Sequence, residues 1–272
     1  MAEAETQEFQ PPGAWSTLRS ALIGAFETVG SVLALTGETL VWLIRPPYRI
    51  AQLLQAMEFI GVGSLFIVAL TGIFSGMVLA LQTTYSLRQF GAEGVVGQIV
   101  AVSLTREISP VFTALMVTAR AGSAMAAELG NMRVTEQIDA LVTMAVSPVQ
   151  YLLSPRLVAS VLMMPLLCIV YTCVGMGGAW LVAVNWLGVD PGLFVSNIEK
   201  NMVPHDFYMG LIKAGVFGFL ISAISCTRGF YASGGARGVG QATTEAVVHS
   251  AVSLLVANYL LTSWLMGDPS AG

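Results

Sequence analysis

The stretch GVVGQIVAVSLTREISPVFTALMVTA, residues 94–119, decides how the rest of the chain is interpreted. A helix that crosses a bilayer needs about 20 mostly apolar residues, and this stretch is long and apolar enough to be one. Arg106 and Glu107 nevertheless lie side by side within it. Because a charge at the centre of a bilayer costs at least about 2.5 kcal/mol, the two residues must have a structural or functional reason to be there.

The composition of the whole chain is also that of a membrane protein. Of its 272 residues, 55% are hydrophobic and 10% are charged, whereas soluble domains carry about 25% charged residues. The net charge of −4 and the absence of a basic block argue against nucleic acid as a partner. The three cysteines match neither a disulfide framework nor a metal site, so we predict no bound metal.

Five apolar runs are long enough to span a bilayer, and we predict an all-α integral membrane protein with spans at 59–81, 94–119, 157–184, 207–227 and 246–266. Short cytoplasmic loops carry an excess of arginine and lysine. With the N-terminus inside, eight arginines fall on the cytoplasmic side, against Arg88 and Lys200 on the other side. The sequence therefore predicts a cytoplasmic N-terminus and an external C-terminus.

The N-terminal region differs from the five spans. Residues 1–13 are acidic and end in prolines, which predicts a disordered tail. Residues 14–45 repeat apolar side chains at spacings of three and four, which predicts an amphipathic helix lying in the membrane interface. The alternative is a sixth span from about residue 22 to residue 44. Glu27 and Glu38 argue against it, because carboxylates within a bilayer are costly.

Residues 46–272 form one membrane domain, in which residues 120–150 are the only sizeable cytoplasmic connection. This connection is rich in helix-forming residues, which predicts one or two short helices at the membrane surface. Its charged face consists of Glu128, Arg133, Glu136 and Asp139. The later GGARGVG segment, residues 234–240, follows no soluble strand and is interpreted as a turn between spans.

Several catalytic signatures are missing from the sequence. The only lysines are Lys200 and Lys213, and neither stands in the phosphate-binding loop GxxxxGK[ST]. There is also no HExxH motif and no serine in a nucleophile elbow. We therefore predict that this chain is not an enzyme by itself and binds no cofactor.

The polar residues within the spans indicate where a site could lie. Adjacent helical residues point about 100° apart, so Arg106 and Glu107 cannot face each other, although both can point into one polar cleft. The alternative is that each only braces neighbouring helices. Pro110 has no N–H, so it frees the carbonyl of Arg106 and bends the helix there. We expect Lys213, near the outer end of the fourth span, to extend outward to the membrane surface. Gly72 and Gly76 form a GxxxG pattern that allows close helix packing.

Four segments together resemble the MlaE/YrbE permease family, the membrane subunits of MCE-associated ABC transporters in bacteria. The principal segment is LTREISPVFTALMVTARAGSAMAAELGNMRVTEQIDAL, residues 104–141. The others are GIFSGMVLALQ (72–82), MAVSPVQYLLSPR (144–156) and ATTEAVVHSAV (242–252). Their order and spacing agree with the family over nearly all of the chain after Pro46.

The resemblance implies a homodimeric permease of the bacterial inner membrane that moves phospholipids or other lipids between the inner and outer membranes. It implies a separate cytoplasmic ATPase that binds ATP and Mg²⁺, often a small STAS-domain protein, and a periplasmic hexamer of MCE domains. The absence of a phosphate-binding loop in this chain is then expected.

The resemblance also implies roles for particular residues. Arg106, Glu107 and Lys213 would lie at a lipid cavity between two protomers, and we place Leu79 and Tyr85 among the cavity residues. Residues 122–137 would form the coupling helix, with Glu128, Arg133, Glu136 and Asp139 facing the ATPase. The chain departs from the pattern near the fifth span: Gln241 and Glu245 replace arginines, and Asn258 lies near the position of an aspartate.

Two other functional classes fit parts of the pattern. One is a proton- or ion-coupled secondary transporter with Glu107 as the carrier, but the sequence has neither an inverted repeat nor broken midplane helices. The other is a membrane scaffold that transports nothing, which would leave the intramembrane charges unexplained.

Overall fold

The structure, a computed structural model, describes residues 30–43, 45 and 49–266. All regular secondary structure in these residues is helical. The helices are α1 (Gly30–Leu43), α2 (Ile50–Arg88), α3 (Glu93–Val134), α4 (Gln137–Thr143), α5 (Val149–Trp186), α6 (Pro191–Asn201), α7 (Pro204–Phe230) and α8 (Gly235–Met266). Five of these, α2, α3, α5, α7 and α8, are long and apolar enough to cross a membrane. The predicted all-α membrane fold with five spans is confirmed.

The helices extend beyond the apolar runs from which they were predicted. The α3 helix begins at Glu93 and continues to Val134, so the first half of the predicted cytoplasmic connection is the end of the second span's own helix. The reason is that only the part of a helix within the bilayer has to be apolar. Helical hydrogen bonding continues beyond that part until the backbone conformation changes. That change occurs at Glu136, which adopts the left-handed conformation (φ 59°) between α3 and α4.

The α7 helix is the centre of the bundle. It packs against α3, α5 and α8, and 67% of its apolar window is buried. The α8 helix lies at the edge, because only 17% of its apolar window is buried. Most of α8 is therefore open to lipid or to another protein.

The α2 and α5 helices cross at very close range. A Cβ atom on Gly76 would overlap the carbonyl oxygen of Gly175, and one on Gly72 would lie 3.0 Å from the carbonyl oxygen of Tyr171. The Tyr171 hydroxyl also donates a hydrogen bond to Ser75 Oγ at 2.7 Å, within the same crossing. The close helix packing predicted from the GxxxG pattern is confirmed.

The α1 helix packs against the end of the bundle where α2, α5 and α8 begin. Its buried Leu35 lies in a hydrophobic cluster with Leu129 of α3, Ile138 of α4 and Leu153 of α5. The predicted tail and residues 14–29 of the predicted interfacial helix lie outside the described residues. The placement of residues 14–45 in the membrane interface stays a prediction.

The glycine-rich turn before α8 is shorter than predicted. Within residues 234–240, only Gly234 and Gly235 have the positive φ angles of a tight turn, 89° and 67°. Residues 236–240 already belong to the first turns of α8. The prediction of a turn over the whole of residues 234–240 is therefore wrong, because the remaining glycines are tolerated within helical backbone.

Candidate functional site

Arg106 and Glu107 lie in a π-helical turn of α3, Leu104–Ile108. Such wide turns are rare and are often found at functional sites. Pro110 follows this turn and cannot donate a hydrogen bond to the carbonyl of Arg106. Lys213 Nζ donates to that carbonyl instead, at 3.2 Å. The carbonyl that the sequence predicted to be free is thus bonded to α7.

Arg106 forms an ion pair with Asp206 in the first turn of α7. The Arg106 Nε atom donates to Asp206 Oδ1 at 2.7 Å, and Nη2 contacts the same oxygen. The Asp206 carboxylate is buried and also accepts a hydrogen bond from the backbone N–H of Val203. Arg106 therefore ties the middle of the second span to the start of the fourth.

Glu107 forms a second, separate ion pair. Its Oε1 atom accepts a hydrogen bond from Lys213 Nζ at 2.6 Å, and the Lys213 side chain is 0% exposed. The remaining contact of the ammonium is with Thr262 Oγ1 at 2.8 Å, so its three N–H groups have three acceptors. The prediction that Lys213 extends to the membrane surface is wrong, because α7 is the central helix and a carboxylate lies within reach.

The α8 helix completes the arrangement. Asn258 Nδ2 donates to Glu107 Oε2 at 3.1 Å, and Thr262 lies one helical turn further along. We call these six residues the polar cluster: Arg106, Glu107, Asp206, Lys213, Asn258 and Thr262. It contains two cations and two carboxylates and joins α3, α7 and α8. Arg106 and Glu107 remain 30% and 35% exposed, so the cluster has an open side.

Helix geometry correctly predicted that Arg106 and Glu107 do not pair with each other, but three partners were missed. Asp206 lies just before the predicted start of the fourth span at residue 207, where it was counted as part of a loop. Asn258 was noted only as a departure from the family pattern, and Thr262 was not singled out. Asn258 and Thr262 are four residues apart on a mostly apolar helix, so they lie on one face. This spacing was the signal that could have identified these two residues.

The two apolar cavity candidates lie outside the hydrogen bonds of the polar cluster. Leu79 is partly buried in the hydrophobic core between α2, α3 and α5. Tyr85 is exposed one turn before the end of α2. Their assignment to a lipid cavity stays a prediction.

The predicted coupling residues lie at the opposite end of the bundle from the α2–α3 connection. Glu128 Oε1 pairs with Arg156 at 2.8 Å, and Arg133 Nη1 pairs with Asp139 at 2.7 Å. Glu136 is exposed at the junction of α3 and α4. Exposed Val142 lies beside these charges at the end of α4, so this surface offers both polar and apolar contacts.

Replacing Thr262 with valine should destabilise the polar cluster. Valine keeps the shape but removes one acceptor of the Lys213 ammonium, and a hydrogen bond to a charged group contributes about 1.5–3 kcal/mol. We expect a lower melting temperature for Thr262→Val in detergent, with no change for Ser263→Ala, which alters an exposed neighbour. Equal melting temperatures for Thr262→Val and the unaltered protein would contradict the role assigned to Thr262.

Comparison with known proteins matches the chain to one permease family and to several of its relatives. Residues 53–264 match the family model of the MlaE permease. A probable ABC transporter permease protein of Rickettsia conorii is 43% identical over 236 residues, which cover 87% of this chain and 91% of that protein. The intermembrane phospholipid transport system permease protein MlaE of Haemophilus influenzae is 42% identical over 216 residues, covering 79% and 83%. The chloroplastic protein TRIGALACTOSYLDIACYLGLYCEROL 1 of Arabidopsis thaliana is 36% identical over 234 residues, covering 86% and 67%.

Proposed function

The chain belongs to the MlaE permease family and is an ABC transporter permease, and from this we propose that it carries phospholipids or related lipids between the inner and outer membranes of a bacterium. As a permease subunit it is not itself an enzyme. ATP and Mg²⁺ would bind a separate cytoplasmic ATPase. Membership of this family argues against both alternatives, a secondary transporter and a membrane scaffold.

The observation that carries the proposal is the open polar cluster within an apolar bundle. Arg106 and Glu107 are partly exposed at membrane depth although each has a partner. Full contact with lipid tails would be costly for both side chains. A phospholipid head group, which itself carries charged and hydrogen-bonding groups, is a suitable occupant of the open side, and apolar helix surfaces nearby suit its acyl chains.

A second copy of the chain would enclose this site. The polar cluster includes two residues of α8, which is the least buried of the five long helices in the described chain. Exposed Val252, Val256 and Tyr259 continue along α8 toward the cluster. A homodimer packed near α8 would place two polar clusters around one cavity and remove their charges from lipid tails.

The opposite end of the bundle would bind the ATPase. Glu128, Arg133, Glu136 and Asp139 lie there, and α3 runs without interruption from this surface to the polar cluster. Movement of the ATPase would thus reach Arg106 and Glu107 along one helix. In this orientation, which the arginine distribution favours, the N-terminus is cytoplasmic and the C-terminus is periplasmic. An MCE-domain hexamer would then lie on the periplasmic side, and a STAS-domain protein beside the ATPase.

Reconstitution tests the proposal directly. The chain would be purified with its partner ATPase and placed in donor vesicles with fluorescent phospholipid. ATP-dependent transfer to acceptor vesicles, by a complex whose mass contains two copies of this chain, is the expected result. A complex that hydrolyses ATP but transfers no lipid under any condition would contradict it.

Glu136→Lys tests the assignment of the coupling surface. Reversing the charge at the exposed junction of α3 and α4 should weaken ATPase assembly and reduce ATP-driven transfer by about tenfold, because a like charge placed in an interface costs several kcal/mol. Glu199→Lys makes the same change on exposed α6 at the other end of the bundle and should leave both unchanged. If Glu136→Lys assembles and transfers lipid like the unaltered chain, the coupling surface lies elsewhere.

A further inference from the structure

A second feature that could hold a ligand lies at the junction of α1, α2 and α5, away from the polar cluster. It is a cavity of about 340 Å³, which is within the usual range for small-ligand sites. Its walls are mainly apolar and include Leu53 of α2 and Val158 of α5. Arg45 and Arg49 line it from the segment between α1 and α2. An apolar cavity with two cations is complementary to an amphiphile with an acidic head.

The two arginines are available to an external anion. Both are exposed, and within the described residues neither forms an ion pair with a carboxylate. The Arg49 guanidinium lies 4.5 Å from the ring centroid of Tyr151, and that of Arg45 lies 5.6 Å from the ring of Trp42. These aromatic contacts position the guanidinium groups without neutralising them.

A buried polar side chain in the cavity also lacks a partner. Ser154, the first residue after the π-helical turn of α5, lines the cavity and is 6% exposed. Its Oγ atom has no hydrogen-bond partner in the part of the chain that the structure describes. A buried hydroxyl without a partner is unfavourable. The Oγ atom is inaccessible as it stands, so the side chain would have to rotate before a bound molecule could reach it.

The cavity lies at the helix ends that precede the apolar runs of the first and third spans, where lipid head groups are expected. Arg49 immediately precedes Ile50, where the first membrane-spanning helix begins, and Ser154 lies five residues after the start of α5. Gln150 Nε2 donates to the carbonyl of Arg45 at 2.9 Å, which ties Arg45 to α5. Basic residues at this depth attract anionic lipids, and aromatic residues are enriched there.

We propose that this cavity binds an anionic phospholipid from the leaflet at this end of the bundle. The phosphate would lie between Arg45 and Arg49, and an acyl chain would lie against Leu53 and Val158. The lipid would be a resident ligand that holds α1 to α5. This site is separate from the polar cluster and does not depend on the proposed lipid transfer.

The binding test uses the full chain, stripped of lipid in a neutral detergent and titrated with phosphatidylglycerol while bound lipid is counted by native mass spectrometry. One cation near an anionic head group contributes about fivefold in affinity, so Arg45→Gln with Arg49→Gln should weaken binding about 25-fold. Arg237→Gln removes an exposed arginine at the same end of the bundle and should bind like the unaltered chain.

A second variant tests the cavity without changing any charge. Val158→Phe fills the apolar wall and should also weaken phosphatidylglycerol binding at least tenfold, and it keeps the proposal testable if the double arginine variant does not fold. Unaltered affinity in a folded form of either variant would overturn the proposal. Phosphatidylcholine binding as tightly as phosphatidylglycerol would show that the arginines do not select an anion. Glycerol 3-phosphate binding as tightly as the lipid would identify a free-phosphate site and overturn the proposed role of the acyl chain.

Discussion

Glu107→Ala is expected to lower the melting temperature of the purified chain by about 10 °C, the largest effect of any single substitution in the polar cluster. The reason lies with its partner, because the Lys213 ammonium is 0% exposed and would lose its only carboxylate in the cluster contacts. Removing one member of a buried ion pair costs about 3–5 kcal/mol, and a protein of this length loses about 2–4 °C per kcal/mol. Thermal unfolding in detergent, followed by circular dichroism, measures the shift.

The double variant Glu107→Gln with Lys213→Met provides the matched control. It removes both charges and keeps similar side-chain volumes, and uncharged replacement of a buried pair is often neutral or stabilising. Its melting temperature should therefore return to within about 3 °C of the unaltered protein. A melting temperature for Glu107→Ala equal to that of the unaltered chain would show that Lys213 does not depend on Glu107.

The same double variant separates the two roles left open for the charged pair. If Glu107 and Lys213 contact the lipid head group, the stable double variant should bind the ATPase normally and yet lose most lipid transfer. If the pair only holds α3 to α7, the double variant, whose stability is close to that of the unaltered protein, should also transfer lipid at a rate close to that of the unaltered protein. We expect the loss, because Glu107 is partly exposed on the open side of the cluster although Lys213 is not.

Gly76→Ala should prevent the chain from reaching its folded state in useful yield. The new Cβ atom would overlap the backbone carbonyl of Gly175, and backbone atoms of a buried helix cannot move as the end of a side chain can. Separating α2 from α5 would also break the contact between Tyr171 and Ser75. Overpacking of this kind costs about 1–3 kcal/mol where side chains can adjust, and we expect more here.

Gly177→Ala is the control for this substitution. Gly177 lies on α5, two residues from Gly175, but a Cβ atom there would meet nothing within 4 Å. The same chemical change should therefore be neutral or slightly stabilising, since alanine is the better helix former. Fluorescence-detected size-exclusion chromatography of both variants gives the comparison. Equal monodisperse yields would show that the α2–α5 crossing is looser than described.

The sequence predicted what depends on local pattern. Apolar runs identified all five spans, and the angle between adjacent helical residues excluded a pair between Arg106 and Glu107. The GxxxG pattern predicted a close helix contact on α2, because small residues act directly on helix distance, but it did not predict that α5 is the partner. Each of these inferences needs only residues that are close in the chain.

The sequence did not predict what depends on contacts between distant segments. Lys213 lies 106 residues after Glu107, and no local signal says that α7 is the central helix and turns this lysine inward. Asp206 belongs to a helical turn that begins before the apolar run, where polar residues are indistinguishable from a loop. The cavity beside Arg45 and Arg49 is formed by three segments, of which only the arginines stand out in the sequence.

The polar cluster has a further consequence for how the protein is made. Glu107 is synthesised 106 residues before Lys213 and 155 residues before Thr262. At about 5–20 residues per second, the carboxylate waits about 5–20 s for its ammonium partner. During that interval the second span carries two charges whose partners have not yet been synthesised, and such charges are costly in lipid. We therefore expect stable insertion of the second span to depend on synthesis of the fourth.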